Sequence, residues 1–183
     1  MTLAMTLGMT IGVRRTAWMM MGELVGVASV VMATLSGVAA VMLNHPELFF
    51  LFKIAGGMYL AFLGMQLWQS KGAMAISQDI QTPLLVSRRQ LAIQGFVTAV
   101  ANPKGWAFFI ALLPPFIDYQ QAILSQALVL LTIILILEFI CLCIYASGGR
   151  MLSTVLQNRT NVKTLNKIAG SLIMGVAVWL AFG

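Results

Sequence analysis

A chain of 183 residues that is 60% hydrophobic and only 9% charged, with a mean hydropathy of +0.94, cannot build a water-facing surface. Soluble domains carry about a quarter charged residues, so lipid must cover most of this molecule. The net charge of +6 does not point to nucleic acid, because the basic residues sit in short segments between apolar runs, where they act as topological signals.

Crossing roughly 30 Å of hydrocarbon takes about 20 apolar residues, which leaves room for about six spans and little else. The expected fold class is therefore an all-α integral membrane protein, one transmembrane domain over residues 1–183. Met1–Val13 is apolar and ends at Arg14 and Arg15. As a helix it reaches only about 20 Å, so it is expected to be the second half of a span whose first half lies upstream, and the first span is partial. Full-length runs follow at Thr16–Leu43 and Leu48–Trp68, then at Leu91–Leu113, Ile123–Ser147 and Leu165–Phe182.

The basic residues predict an orientation. Arg14 and Arg15, Lys71, Arg88 and Arg89, and Arg150, Arg159, Lys163 and Lys167 all fall on one side of this layout. The alternate loops hold His45 and Glu47, and Asp118. By the positive-inside rule the basic side is cytoplasmic and both termini are external. Trp18, Trp68 and Tyr145 then mark inner interfaces, and Tyr119 and Trp179 outer ones. Residues 69–90 become a cytoplasmic linker between two inverted three-helix repeats, 1–68 and 91–183. Lys53-Ile54-Ala55-Gly56 and Lys167-Ile168-Ala169-Gly170 open equivalent spans, and Glu23 and Glu138 fall in equivalent ones. Gly56, Gly57, Gly64, Gly170 and Gly175 are spaced to let helix backbones approach.

The chemistry concentrates in the fourth run. Asn102-Pro103-Lys104 stands about 16 Å from its start, near the midplane. Proline removes a backbone donor and clashes with the carbonyl of Ala99, which predicts a break. In lipid, a broken helix survives only where protein or a water-filled cavity receives the freed polar groups. A charge at that depth costs at least about 2.5 kcal/mol, so Lys104 should face such a cavity. Glu138 and Glu23 are intramembrane carboxylates, expected to face a cavity, a partner or a proton path. A half-helix N-terminus beyond Pro103 should present free N–H groups and a positive dipole, suited to a carboxylate. Asn102, Pro103, Lys104, Glu138 and Glu23 are thus the candidate substrate-binding residues. The structural alternatives are a plain kink and a buried ion pair that only specifies packing.

No metal-binding cluster, nucleophile–histidine arrangement or phosphate-cradling glycine loop is present in the sequence, so neither cofactor nor enzymatic chemistry is expected. Cys141 and Cys143 lie on one helix and point to nearly opposite sides, which suits neither a disulfide nor a thiol-redox carrier. They are expected to be small buried apolar residues.

Asn102-Pro103-Lys104 followed by Phe108-Phe109 and Pro114–Asp118 resembles the fourth-span signature of the LysE/RhtB amino-acid exporters. Lys53–Gly64 looks like that family's third span, and Arg88–Asp118 with Leu165–Ala177 is most similar to its homoserine and homoserine-lactone branch. The resemblance implies a multi-pass transporter of the bacterial inner membrane. It would export small amino acids or derivatives, homoserine- or threonine-like, by proton antiport. The bilayer and the amino acid would be its partners, with homo-oligomerisation left open. The family's first span carries a Pro-Gly-Pro-type element that would fall ahead of Met1. A non-transporting membrane subunit, or a truncated and inactive exporter, is the competing expectation.

Overall fold

A computed structural model describes residues 2–44, 47–70, 86–118 and 120–182. His45, Lys71 and Tyr119 lie outside the described residues, as do most of the 69–90 linker and the side chains of Glu47, Lys53, Arg150 and Arg159. Every regular element among the described residues is a helix: α1 (Thr2–Ile11), α2 (Val13–Asn44), α3 (Glu47–Trp68), α4 (Arg88–Val100), α5 (Pro103–Leu112), α6 (Ile123–Gln157) and α7 (Arg159–Phe182). A single 3-10 turn, Pro114–Phe116, follows α5.

Gly12 separates α1 from α2 at a φ of 81°, a left-handed conformation that an L side chain rarely adopts. The hydroxyl and backbone N–H of Thr16 both return to the Gly12 carbonyl and close the first turn of α2. Helix α2 thereby begins three residues earlier than the apolar run and carries Arg14 and Arg15 in its first turn. Helix α4 opens with a capping box in which Ser87 and Gln90 satisfy each other's backbone donors.

The connection between the last two helices differs from the sequence expectation. Helix α6 continues ten residues past Ser147 to Gln157, and α7 starts at Arg159, so only Asn158 stands between them. Arg150, Arg159 and Lys163 are helical rather than loop residues. Gly148 and Gly149 do not stop α6: a glycine in a helix interior costs only about 1 kcal/mol relative to alanine, and the helix continues to Gln157.

Among the described residues, Val13–Gly37 and Ile123–Gly148 are long and apolar enough to cross a membrane singly, and α4 with the α5 segment makes a third, bent span. Helix α3 contributes the shorter apolar stretch Ile54–Trp68. The exposed side chains fit a lipid-facing exterior: Leu124, Leu172, Met58 and Phe62 are each at least 60% exposed.

Helix α2 lies parallel to α4, with Arg15 reaching Val86, Trp18 beneath Arg88, and Gly22 against Ala92. Helices α3 and α7 run antiparallel. Trp68 meets Lys167, Ser70 meets Asn166, and a Cβ on Gly64 would stand 2.8 Å from the Gly170 carbonyl oxygen. Gly175 does not share this role: a Cβ there would meet nothing within 4 Å. Cys143 is half-buried, but Cys141 is exposed and so departs from the expected burial.

Helices α2 and α6 cross antiparallel between two apolar clusters. One joins Ala4 and Leu7 of α1 to Met19, Met20, Leu91, Leu142 and Ala146. The other joins Val31 and Leu35 to Leu113, Ile117 and Ala127. Glu23 and Glu138 fall between these clusters on their respective helices.

Candidate functional site: a polar cavity at the broken helix

The break falls where the sequence places it. Helix α4 ends at Val100, Ala101 and Asn102 are non-helical, and α5 restarts at Pro103 after a bend of 54°. Proline suits the first position of a helix, where the missing N–H has no intrahelical partner to lose. Asn102 is the cap: its Oδ1 accepts from the Lys104 backbone N–H at 3.2 Å. Its carbonyl accepts from Gly105 and Trp106 at 3.1 and 3.3 Å.

This corrects one expectation about Pro103. A half-helix beginning there was expected to present free N–H groups to a ligand. Pro103 has none, and the next three are engaged by Asn102. What remains is the positive end of the α5 dipole, the Lys104 ammonium and the Asn102 amide. Because Oδ1 is tied to the cap, the free polar function of Asn102 is its donor NH2.

The break is braced by a residue that sequence reading did not single out. The Trp106 indole N–H donates to the Val100 carbonyl at 2.8 Å, replacing the bond that the break removes. Its position three residues past Pro103 is the signal that could have marked it, since the ring then folds back over the preceding turn.

Glu23, Asn102, Lys104 and Glu138 line one cavity of about 500 Å3 together with Thr98, Phe108 and Phe109. Val27, Val30, Leu63, Leu67 and Ile173 complete an apolar wall that no periodicity in the sequence connects to the break. Pro103 is not part of the wall; it sets the direction of α5. The two carboxyl groups enter it from different helices, Glu23 from α2 and Glu138 from α6. Glu23 is buried, at 7% exposed, and Glu138 is half-buried. Lys104 is exposed to the cavity, and among the described residues no direct ion pair joins it to Glu138. The site therefore separates a cationic pole from an anionic one, with open space between.

Among the described residues no group of three or more His, Cys, Asp or Glu side chains could hold a metal ion. The chain matches the LysE type translocator family over residues 1–183. It is 35% identical over 133 residues to a homoserine/homoserine lactone efflux protein of Salmonella typhi, covering 73% of this chain and 63% of that protein. It is 26% identical to a leucine efflux protein of an Enterobacter species, covering 93% of this chain and 81% of the relative. An uncharacterized membrane protein of Vibrio cholerae is also 26% identical, over 95% of this chain and 83% of its own length. The matched stretch thus spans less than two thirds of the Salmonella relative. No solved structure matches. With the family match running the full length of a helical, lipid-facing chain, this protein belongs to the LysE type translocators, a family of transporters and not of enzymes.

Proposed function

We propose that this chain is a secondary transporter that exports small amino acids or derivatives of the homoserine and threonine type across the bacterial inner membrane. The observation that carries the reading is the two-pole cavity: Lys104 and the Asn102 amide on one side, Glu138 and Glu23 on the other, an apolar wall between. An α-amino acid has the same polarity. Its carboxylate meets the lysine, the amide donors and the positive helix end. Its ammonium meets Glu138 with Glu23 behind it. A short side chain lies against Phe108, Phe109 and Val30. The volume of about 500 Å3 lies within the range of small-molecule sites.

The helix pairings support two inverted halves, 1–68 and 91–183. The α2–α6 and α3–α7 pairs are each antiparallel, as a two-fold axis in the membrane plane requires, and that axis would pass between Glu23 and Glu138. The two apolar clusters above and below the carboxylates are then the alternating seals, one parting while the other holds. The basic ends of α2, α4 and α7 face the cytoplasm in this reading. Glu138 exchanges the substrate ammonium for the coupling proton, which gives antiport.

The test is uptake of radiolabelled homoserine, threonine and leucine into inverted membrane vesicles from cells with and without the chain, under an imposed proton gradient. Gradient-driven uptake that depends on expression supports the reading. Expression at normal levels without uptake of any small amino acid refutes it and favours a non-transporting subunit.

A further inference from the structure

The two poles of the cavity use Glu23, Asn102, Lys104 and Glu138, and Thr98 is the remaining polar side chain among the residues that line it. Its level follows from the packing of α4 on α2. A Cβ on Gly95 would stand 2.8 Å from the Glu23 backbone nitrogen, and one on Gly26 would stand 2.7 Å from the Ala99 Cβ. Thr98 lies about 4.5 Å along α4 beyond Gly95 and about one turn before Asn102. Gly95, Thr98 and Asn102 follow the spacing of one helical stripe. Along α4, Thr98 thus stands between the level of Glu23 and the cap that belongs to the cationic pole.

The chemistry of its hydroxyl is set by its own helix. Thr98 Oγ1 donates to the Gln94 carbonyl at 2.7 Å, which commits its proton and holds the rotamer. The oxygen keeps its lone pairs, so toward a ligand it acts as an acceptor. An acceptor set among apolar neighbours distinguishes two solutes of equal size. One whose side chain ends in a hydroxyl can donate to it, and one that ends in a methyl cannot.

We infer that Thr98 is the specificity-determining residue of the cavity: its hydroxyl oxygen accepts from the side-chain hydroxyl of the solute and selects hydroxylated amino acids over aliphatic ones of the same size. This rests on the amino-acid export reading above. The two poles hold the ammonium and carboxylate that every amino acid shares, so they do not make this choice. The methylene stem lies against Phe108 and Phe109, and the terminal oxygen turns toward α4. The selection is moderate, because an aliphatic solute leaves Thr98 bonded to Gln94 and strands no polar group. One neutral hydrogen bond is at stake, equivalent to about two- to twelvefold in selectivity.

The test is competition between homoserine and norvaline, which is nearly isosteric with it, for gradient-driven uptake by the full chain in inverted vesicles. The parent should favour homoserine. Thr98→Val removes the hydroxyl and keeps the shape, and the preference should fall about two- to twelvefold. Thr98→Ser should retain it. Thr132→Val makes the same change at a threonine outside this cavity, bonded to the Leu128 carbonyl at 2.7 Å, and should leave the preference unmoved. A parent without the preference, a Thr98→Val variant that keeps it, or a Thr98→Ser variant that loses it overturns the assignment. So does an equal loss of both solutes in Thr98→Val, which would place Thr98 against the group they share. If Thr98→Val fails to accumulate, Thr98→Ala is scored by the same criteria. Absence of gradient-driven uptake of any amino acid by the parent overturns the export reading and this inference with it, whereas uptake without the preference overturns this inference alone.

Discussion

Replacing Lys104 by methionine isolates the cationic pole of the cavity. The side chain lines the cavity and bonds to no other side chain among the described residues, while its backbone N–H is held by Asn102. The substitution therefore keeps the cap, the bend and nearly the same volume, and removes only the charge. Hydrogen bonds to a charged group contribute about 1.5–3 kcal/mol, so losing the contact to a substrate carboxylate should cost roughly 10- to 150-fold in transport at low substrate. Unfolding temperature should stay within a degree or two, about what exposed substitutions produce. The assay is initial-rate homoserine uptake into inverted vesicles across a substrate series, normalised to protein level. A variant that transports at the parental rate with normal abundance would show that Lys104 is no part of the binding site. A variant that fails to accumulate or melts early would assign the lysine to folding instead.

Four further outcomes are expected. Glu138→Gln should impair export and, if this carboxylate exchanges the proton, flatten the dependence of uptake on pH; a parental pH profile would remove it from the coupling path. Trp106→Phe deletes the bond to the Val100 carbonyl, so stability should fall by about 1 kcal/mol and apparent affinity should weaken with it; an unchanged melting curve would show that the break needs no brace. Gly64→Leu drives a side chain into the Gly170 carbonyl and Met174, and it should separate α3 from α7 and lower the unfolding temperature markedly, whereas Gly175→Leu should be tolerated. A cysteine at Gln69 should resist an impermeant thiol reagent in intact cells and one at Gln120 should react, in a background lacking Cys141 and Cys143; the opposite pattern would invert the topology.

The broken helix was legible because its cause is local: proline's missing donor and Asn102's capping side chain act on the next few residues. The two glutamates were legible as anomalies, since a carboxylate in an apolar run needs an explanation wherever it points. That they meet across the α2–α6 crossing was not legible, because the register of two helices far apart in sequence is set by their packing. The apolar wall of Val27, Val30, Leu63, Leu67 and Ile173 was hidden for a related reason. In a membrane chain nearly every position is apolar, so hydrophobicity does not separate a cavity wall from a lipid-facing surface. The free N–H groups expected beyond Pro103 are absent for a chemical reason: Asn102, just before the proline that makes the break, accepts from the donors the break exposes.

That last point changes how the cationic pole works. With the α5 donors occupied, recognition of a substrate carboxylate in the proposed site would fall on one flexible ammonium and one amide, both at the break between α4 and α5. Any change in the 54° bend moves both groups relative to Glu23 and Glu138, which ride on the separate α2–α6 crossing. The distance between the poles is then a property of the hinge, and the Trp106–Val100 bond is its fixed strut. A ligand that bridges the poles favours one bend over others, and a conformational equilibrium can shift only through such differential contacts. Coupling between substrate and conformation should thus weaken in Trp106→Phe even where binding survives. The discriminating measurement is the ratio of substrate-driven exchange to gradient-driven uptake: a strut that matters lowers the second more than the first, and equal effects on both would refute a hinge-based coupling.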